Sequence, residues 1–357
     1  MRTTSPGPSN EPTTAPSTTT EAPSARCTTA LTSPACHDAP VTHHGPVVLA
    51  DVVRNGFVEG THVGHAVIVA PDGQVERAWG DPGAVIFPRS SNKPAQASAM
   101  VHAGLDLPPE LLALTASSHS GEQFHLDGVA RILDLAGLGE EALQTPPDLP
   151  LDPVERDSWI RQGRAPQSIA MNCSGKHASM LATCRANDWS IDDYLDPGHP
   201  LQLALTAHLA GLAGEPIAHV GMDGCGAPVL ALTVAGLARS LSRIVQSPSG
   251  SPEHRVVAAM RAAPERVGGS RRDVTAFMRQ VPGLVAKDGA EGVYALALED
   301  GRAGALKVCD GSDRARIVAC AALLIAMGVD DELVAEQREL PVLGGGHPVG
   351  RVRSPIE

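Results

Sequence analysis

Aromatic side chains are scarce, with four Phe, two Tyr and three Trp in 357 residues. Aliphatic and alanine packing must therefore fill the interior. The 43% hydrophobic content suffices for a sizeable core, in one large domain or two small ones. Basic charge is also short: 28 Lys and Arg stand against 40 Asp and Glu, a formal charge of −12. No general role on nucleic acid or an anionic membrane is expected, because both need basic patches. No uncharged apolar run reaches about 18 residues, so no transmembrane helix is expected. The N-terminus has no apolar leader segment, so no secretory signal is expected either. Seven cysteines without tight spacing make a poor disulfide framework. Reduced thiols in a cytoplasmic protein fit better.

Residues 1–45 are rich in Ser, Thr and Pro, with few large apolar groups to offset ordering entropy. They read as a disordered extension before a catalytic domain over 46–357. Cys36 with His37, His43 and His44 lacks a second spaced pair and is not read as a metal site. From "PVVLADVVRNGF" to "PDGQVERAWG" the pattern is of antiparallel strands joined by turns. Residues 94–264 carry helical apolar spacing over most of their length, with "EPIAHVGMD" as a short strand. "GLVAKDG", "GVYALALED" and "AGALKVCD" read as three strands, and "DRARIVACAALLIAMGV" as the last helix. Strands at both ends thus enclose a helical middle. An α/β fold follows, with one antiparallel sheet flanked by helices, a helical lobe, and a site in the cleft between them.

Three short motifs carry chemistry. In "FPRSSNKPAQ", Ser90 and Lys93 form S-x-x-K, a spacing that puts a hydroxyl and an amine on one helix face. A neutral lysine can take a serine's proton. Pro94 is tolerable only in a first helical turn, which places Ser90 at the helix start, where backbone N–H groups favour developing negative charge. The plain alternative is a serine N-cap followed by a solvated lysine. In "SSHSGEQFH", Ser118, His119, Ser120 and Gly121 form a turn whose side chains can face a cleft. The Glu122 and His125 pair reads as a surface contact. In "LVAKDGAEG", Lys287 ends a strand, and Gly289 after it admits close approach of substrate or chain. Taken in order, Ser-x-x-Lys, Ser-x-Ser and Lys-x-Gly follow the serial logic of penicillin-binding proteins and class A β-lactamases. That logic is nucleophilic acyl transfer on an amide.

"NCSGKH" and "DGCGAP" add a second constellation. Cys173 begins a helix, and Cys225 sits between two glycines in a turn. Two thiolates and Lys176 can hold a soft divalent ion, zinc by preference. A lysine ligand must be neutral, which is rare against a free pKa of about 10.4. Two structural cysteines and a solvated lysine are the alternative.

Together "FPRSSNKPAQ", "ASSHSGE", "NCSGKH", "DGCGAP" and "AKDGAEGVYALAL" resemble the rhizobial-type L-asparaginases, the L-asparaginase II family, over about residues 46–345. The resemblance implies a fold like that of serine β-lactamases and glutaminases, and a homodimer. It implies two Ser–Lys tandems, Ser90 with Lys93 and Ser118 with Lys287. It also implies one zinc per chain on Cys173, Lys176 and Cys225. Asp223 then stands near the metal or the substrate, and Arg89 is placed to hold a carboxylate. His119 and Gly289 complete the expected substrate contacts. Ser120 departs from the asparagine common at that place in the family.

The expected reaction is hydrolysis of L-asparagine to L-aspartate and ammonia. Ser90 attacks, Lys93 takes its proton, and Ser118 with Lys287 relays a proton to the leaving nitrogen. Ser118 as nucleophile is the alternative. Backbone N–H groups near Ser90 and the "GAEG" turn are candidate oxyanion donors. Lysine bases imply activity rising into the alkaline range. The rival functions are a penicillin-recognising serine hydrolase, a glutaminase, and a non-catalytic zinc-binding relative.

Overall fold

The computed structural model describes residues 45–356. The extension expected over residues 1–45, with Cys36, His37, His43 and His44, lies outside the described residues, save Gly45.

Eleven strands are present among the described residues: β1 (Val47–Arg54), β2 (Phe57–Val69), β3 (Val75–Trp79), β4 (Val85–Ile86), β5 (His219–Met222), β6 (Pro228–Thr233), β7 (Val285–Gly289), β8 (Val293–Ala297), β9 (Ala303–Val308), β10 (Glu339–Gly344) and β11 (His347–Arg353). The large sheet runs β10-β11-β1-β2-β9-β8-β7, antiparallel throughout, with β3 also paired to β2. The turn between β1 and β2 is Asn55-Gly56, both at positive φ, the geometry that matches strand twist in a two-residue hairpin. β4, β6 and β5 form a smaller sheet in that order.

The helices are α1 (Lys93–His102), α2 (Pro109–Thr115), α3 (Gln123–Leu135), α4 (Pro153–Arg161), α5 (Ser174–Ala186), α6 (Pro200–Ala213), α7 (Val234–Val245), α8 (Pro252–Ala262), α9 (Pro264–Val267), α10 (Asp273–Gln280), α11 (Asp313–Ala326) and α12 (Ala335–Arg338). Val234, Leu237, Ala238, Leu241 and Ile244 give α7 one apolar face, which packs on β2, β8 and β9. α11 lies against β1, β9 and β11. α1 is enclosed by α5, α6, α7 and α8, and its residues Lys93–Val101 are all buried. No helix among the described residues is long and apolar enough to cross a membrane.

The expected sheet, with strands from both chain ends and a helical middle, is the one observed. Two features differ. "DRARIVACAALLIAMGV" is not the last helix, since the single turn α12 follows it, and the hairpin β10–β11 after that pairs with β1. Pro341 and Pro348 weaken its strand signal; Pro341 is tolerated because β10 is an edge strand. β6 also lies within the stretch read as helical or turn. It is nearly continuous apolar sequence paired on both sides, so it shows no alternation to read.

Candidate active site

The centre is built where β7, the start of α1, the start of α5 and the loop between α2 and α3 meet. The chain enters α1 through a single 3-10 turn, Arg89–Asn92. Pro94 occupies the first turn of α1, where its missing N–H removes no helical bond. Lys93 opens that helix and points inward, 2% exposed. Its Nζ donates to Ser117 O, to Ser118 Oγ at 3.0 Å and to Cys173 Sγ at 3.1 Å. Ser90 is half-buried, and its hydroxyl has no hydrogen bond among the described residues.

This pairing differs from the expected tandems. Lys93 bonds the hydroxyl of Ser118, not that of Ser90. The spacing of three brings backbones together, but the four-carbon stem carries the amine past Ser90 to the next loop. Lys287 does not bond Ser118 either. It is fully buried on β7 and donates to Asp288 O at 2.8 Å and to the Asp288 carboxylate. Burial pulls the Lys287 pKa down to about 8; Asp288 resists this, while the Lys93 charge adds to it. Asp288 is held well below the usual carboxylate range. Burial opposes that shift, but Lys287, Arg272 and Arg316 together outweigh it. The carboxylate thus has three cations, whereas Lys287 has one anion. Asp288 escaped the sequence reading, although an acid directly after the strand lysine was its visible signal.

The thiol set does come together. Cys173 caps α5, and Cys225 sits in the β5–β6 turn closed by Gly226 N–H to Asp223 O at 2.9 Å. Lys176 Nζ lies 3.4 Å from Cys225 Sγ. Zinc bonds of about 2.3 Å to sulfur and 2.1 Å to nitrogen in a tetrahedron need about 3.6 Å between such donors. Two thiols and an amine, all buried beside Met171 and Ala227, therefore fit a zinc ion. The Cys225 thiol bonds Cys173 and, against burial, holds the Cys173 pKa well down, with help from Lys93 and Lys176. Cys225 moves up, because the same bond and burial keep its proton. Lys176 is raised: burial opposes its charge, but Cys225, Cys173 and Asp223 favour it. A metal here must displace that proton.

Arg89 Nη2 and Asp223 Oδ1 form an ion pair at 2.7 Å, so two expected substrate contacts face each other. Arg89 holds φ +52°, a left-handed conformation uncommon outside glycine. Gly289 admits chain: a Cβ there would meet Pro88 O at 2.6 Å and Ser91 N at 3.2 Å. His119 is enclosed, with Nε2 2.8 Å from Ser174 Oγ, and its ring stacks on His125. Ser120 Oγ donates to Gly268 O and so braces the loop. Glu122 and His125 do not make the expected surface pair. Both are buried; Glu122 accepts from Ser270 N–H and His125 bonds Glu265 O.

Residues 50–354 match the family model described as L-asparaginase II. The match runs past the expected residue 345 and takes in the β10–β11 hairpin. Among solved structures the chain is similar to Mglu in its native form, with 13% identity, TM-score 0.42, 75% of this chain and 65% of that one covered. It is also similar to a putative beta-lactamase from Bacteroides dorei DSM 17855, with 18% identity, TM-score 0.38, and 69% and 84% covered. A beta-lactamase from Mycobacterium bovis matches at 15% identity and TM-score 0.34, with 77% and 94% covered. The chain spans 65%, 64% and 66% of the Mglu chain in three of its structures. No curated protein matches the sequence. With most of its length matched to one family model, the chain belongs to the L-asparaginase II family.

Proposed function

We propose that the protein hydrolyses the side-chain amide of L-asparagine to L-aspartate and ammonia through a serine acyl-enzyme. Family membership supports the reaction class. The observation that carries the Ser–Lys mechanism is the 3.0 Å bond from buried Lys93 Nζ to Ser118 Oγ, three residues along the chain from an unpartnered Ser90.

Ser90 is the nucleophile in this reading. Half-buried, it is reachable by substrate, and its hydroxyl is committed to nothing else. Its Oγ attacks the amide carbon, and its proton passes by way of the Ser118 hydroxyl to Lys93 in its neutral form, the amine having first given up one of the three protons with which it bonds Ser117 O, Ser118 Oγ and Cys173 Sγ. The C–N bond then breaks, and the nitrogen leaves as ammonia with a proton relayed through Ser118. Water attacks the ester, giving aspartate and restoring Ser90. Lys287, with its pKa near 8, is the amine that exchanges protons with this centre near neutral pH. Arg89 and Asp223 receive the charged backbone groups of the amino acid, each giving up the other to do so. Zinc belongs to the same reading, on Cys173, Lys176 and Cys225. When bound, it would keep both thiols deprotonated and set a positive charge beside Lys93. A homodimer in the cytoplasm also belongs to it.

Ser118 as nucleophile is the second reading, favoured by the same 3.0 Å contact. The test is ammonia release from L-asparagine, L-glutamine and D-asparagine by the wild type, Ser90→Ala and Ser118→Ala. L-asparagine is expected to be preferred and to be lost in Ser90→Ala. Kcat/KM is expected to rise with pH through about 8. Mass spectrometry of a quenched reaction locates the acyl group, and an adduct on Ser118 reverses the assignment. No ammonia from any of the three, with penicillin labelling Ser90, would replace the substrate.

A further inference from the structure

His102 at the end of α1, His208 on α6 and Glu253 in the first turn of α8 turn toward one point. One nitrogen of each imidazole and a Glu253 oxygen all lie within 4.8 Å of one another. His102 Nε2 is 2.6 Å from Glu253 Oε1, and His208 Nε2 is 3.5 Å from the same oxygen. The rings stand 4.9 Å apart at 56°. Two imidazoles and a carboxylate from three separate helices are a donor set for a divalent transition metal.

The dimensions suit one. A tetrahedral ion with bonds of about 2.1 Å needs donors about 3.4 Å apart. His208 and Glu253 already have that separation. His102 must withdraw by less than about 1 Å, and it is the exposed member, with 49% of its side chain open to solvent. Its open side leaves the fourth position to water. Ser98 competes for His208. Its hydroxyl donates to Ala95 O at 3.0 Å, so across the 2.8 Å contact the His208 Nε2–H donates to Ser98 Oγ. Ligation requires His208 to give up this bond and carry its proton on Nδ1.

We propose that His102, His208 and Glu253 bind a divalent transition-metal ion, at a site separate from the Cys173, Lys176 and Cys225 set. The ion ties α6 and α8 to the far end of α1, about 14 Å along the helix from Lys93 at 1.5 Å per residue. None of its three ligands has a part in the proposed hydrolysis.

The test is metal stoichiometry on the full chain after metal stripping, titrated with Zn²⁺ by calorimetry and counted after desalting. The wild type is expected to hold one more Zn²⁺ per chain than His102→Ala or Glu253→Gln. A difference in count separates this site from the thiol set and from histidines of the N-terminal segment. His102 is exposed, so its loss spares the fold, which far-ultraviolet dichroism checks. With Co²⁺, the ion lost in His102→Ala is expected to leave thiolate-to-metal absorption unchanged. Ser98→Ala is expected to tighten the site about fivefold, the value of one competing hydrogen bond. Equal stoichiometry and affinity in the wild type, His102→Ala and Glu253→Gln would overturn the proposal and leave a hydrogen-bonded triad only.

Discussion

Lys93 Nζ lies 3.1 Å from Cys173 Sγ while also donating to Ser118 Oγ at 3.0 Å. One amine therefore joins the hydroxyl set to the thiol set, and a change at the thiols reaches the proposed base without passing through substrate. Cys225 lacks this contact and touches Lys176 instead.

The two cysteines should for that reason differ in effect. Cys173→Ala and Cys225→Ala are both expected to lose bound zinc. Cys173→Ala also strips Lys93 of a charge-assisted bond, and its kcat should fall about tenfold further. Steady-state kinetics beside atomic absorption measure both quantities. Equal losses of kcat would show that the sulfur acts on Lys93 through the metal alone.

Lys287 gives a stability signature. Its pKa is about 8 in the folded chain against an ordinary 10.5, because burial disfavours the ammonium. Between those values the unfolded chain binds the proton and the folded chain does not, so stability rises with pH across the window. The gain is about 3 kcal/mol, fully present above the upper value and absent below the lower one. Lys287→Met should remove this rise and keep Asp288 paired to Arg272 and Arg316. Urea denaturation at several pH values between 7 and 10.5 compares the two, and parallel curves would contradict the shift.

The sequence made the sheet and the helical middle legible because apolar spacing, the turn signals and proline placement agreed with one another. Short elements were less legible. β4 and β6 have no alternation to reveal them, and β10–β11 hides behind prolines. For the site, sequence order put Ser90, Lys93, Ser118, Cys173, Cys225 and Lys287 on one list of candidates. It did not give the partners. A lysine amine lies several bonds from its backbone, so Lys93 finds Ser118 and Cys173, which are remote in sequence. Lys287 finds its own neighbour Asp288 instead. His102, His208 and Glu253 are spread over three helices with no motif to join them, and only the packing of α1, α6 and α8 brings them together.

Arg89 combines strain with a charge contact. At φ +52° a non-glycine residue pays about 1–2 kcal/mol, offset here by the ion pair to Asp223. Arg89→Ala loses the pair and keeps the strain, whereas Arg89→Gly loses both. Arg89→Gly is expected to be the more stable by about 1 kcal/mol, with KM for asparagine raised in each. Thermal melts and Michaelis kinetics test this. Equal melting temperatures would mean that the turn relaxes without glycine.

Gly289 locks the two halves of the centre. It lies two residues after Lys287, and its Cα faces the Arg89–Asn92 turn closely enough that a methyl group would sit 2.6 Å from Pro88 O. The neighbour is backbone and cannot rotate away, so Gly289→Ala must push β7 from the turn that carries Ser90. The backbone conformation itself would accept alanine, so the effect is steric. A displacement near 1 Å at a reacting centre costs about 100-fold in kcat. The large sheet should survive, because β7 is an edge strand whose pairing to β8 can shift with it. Gly289→Ala is therefore expected to fold, to melt a few degrees lower, and to lose about 100-fold in kcat. Gly289→Ser, with the same Cβ, should behave alike. Full activity in either variant would show that Ser90 and Lys287 need no fixed separation, and the coupling of strand to turn would have no place in the reaction.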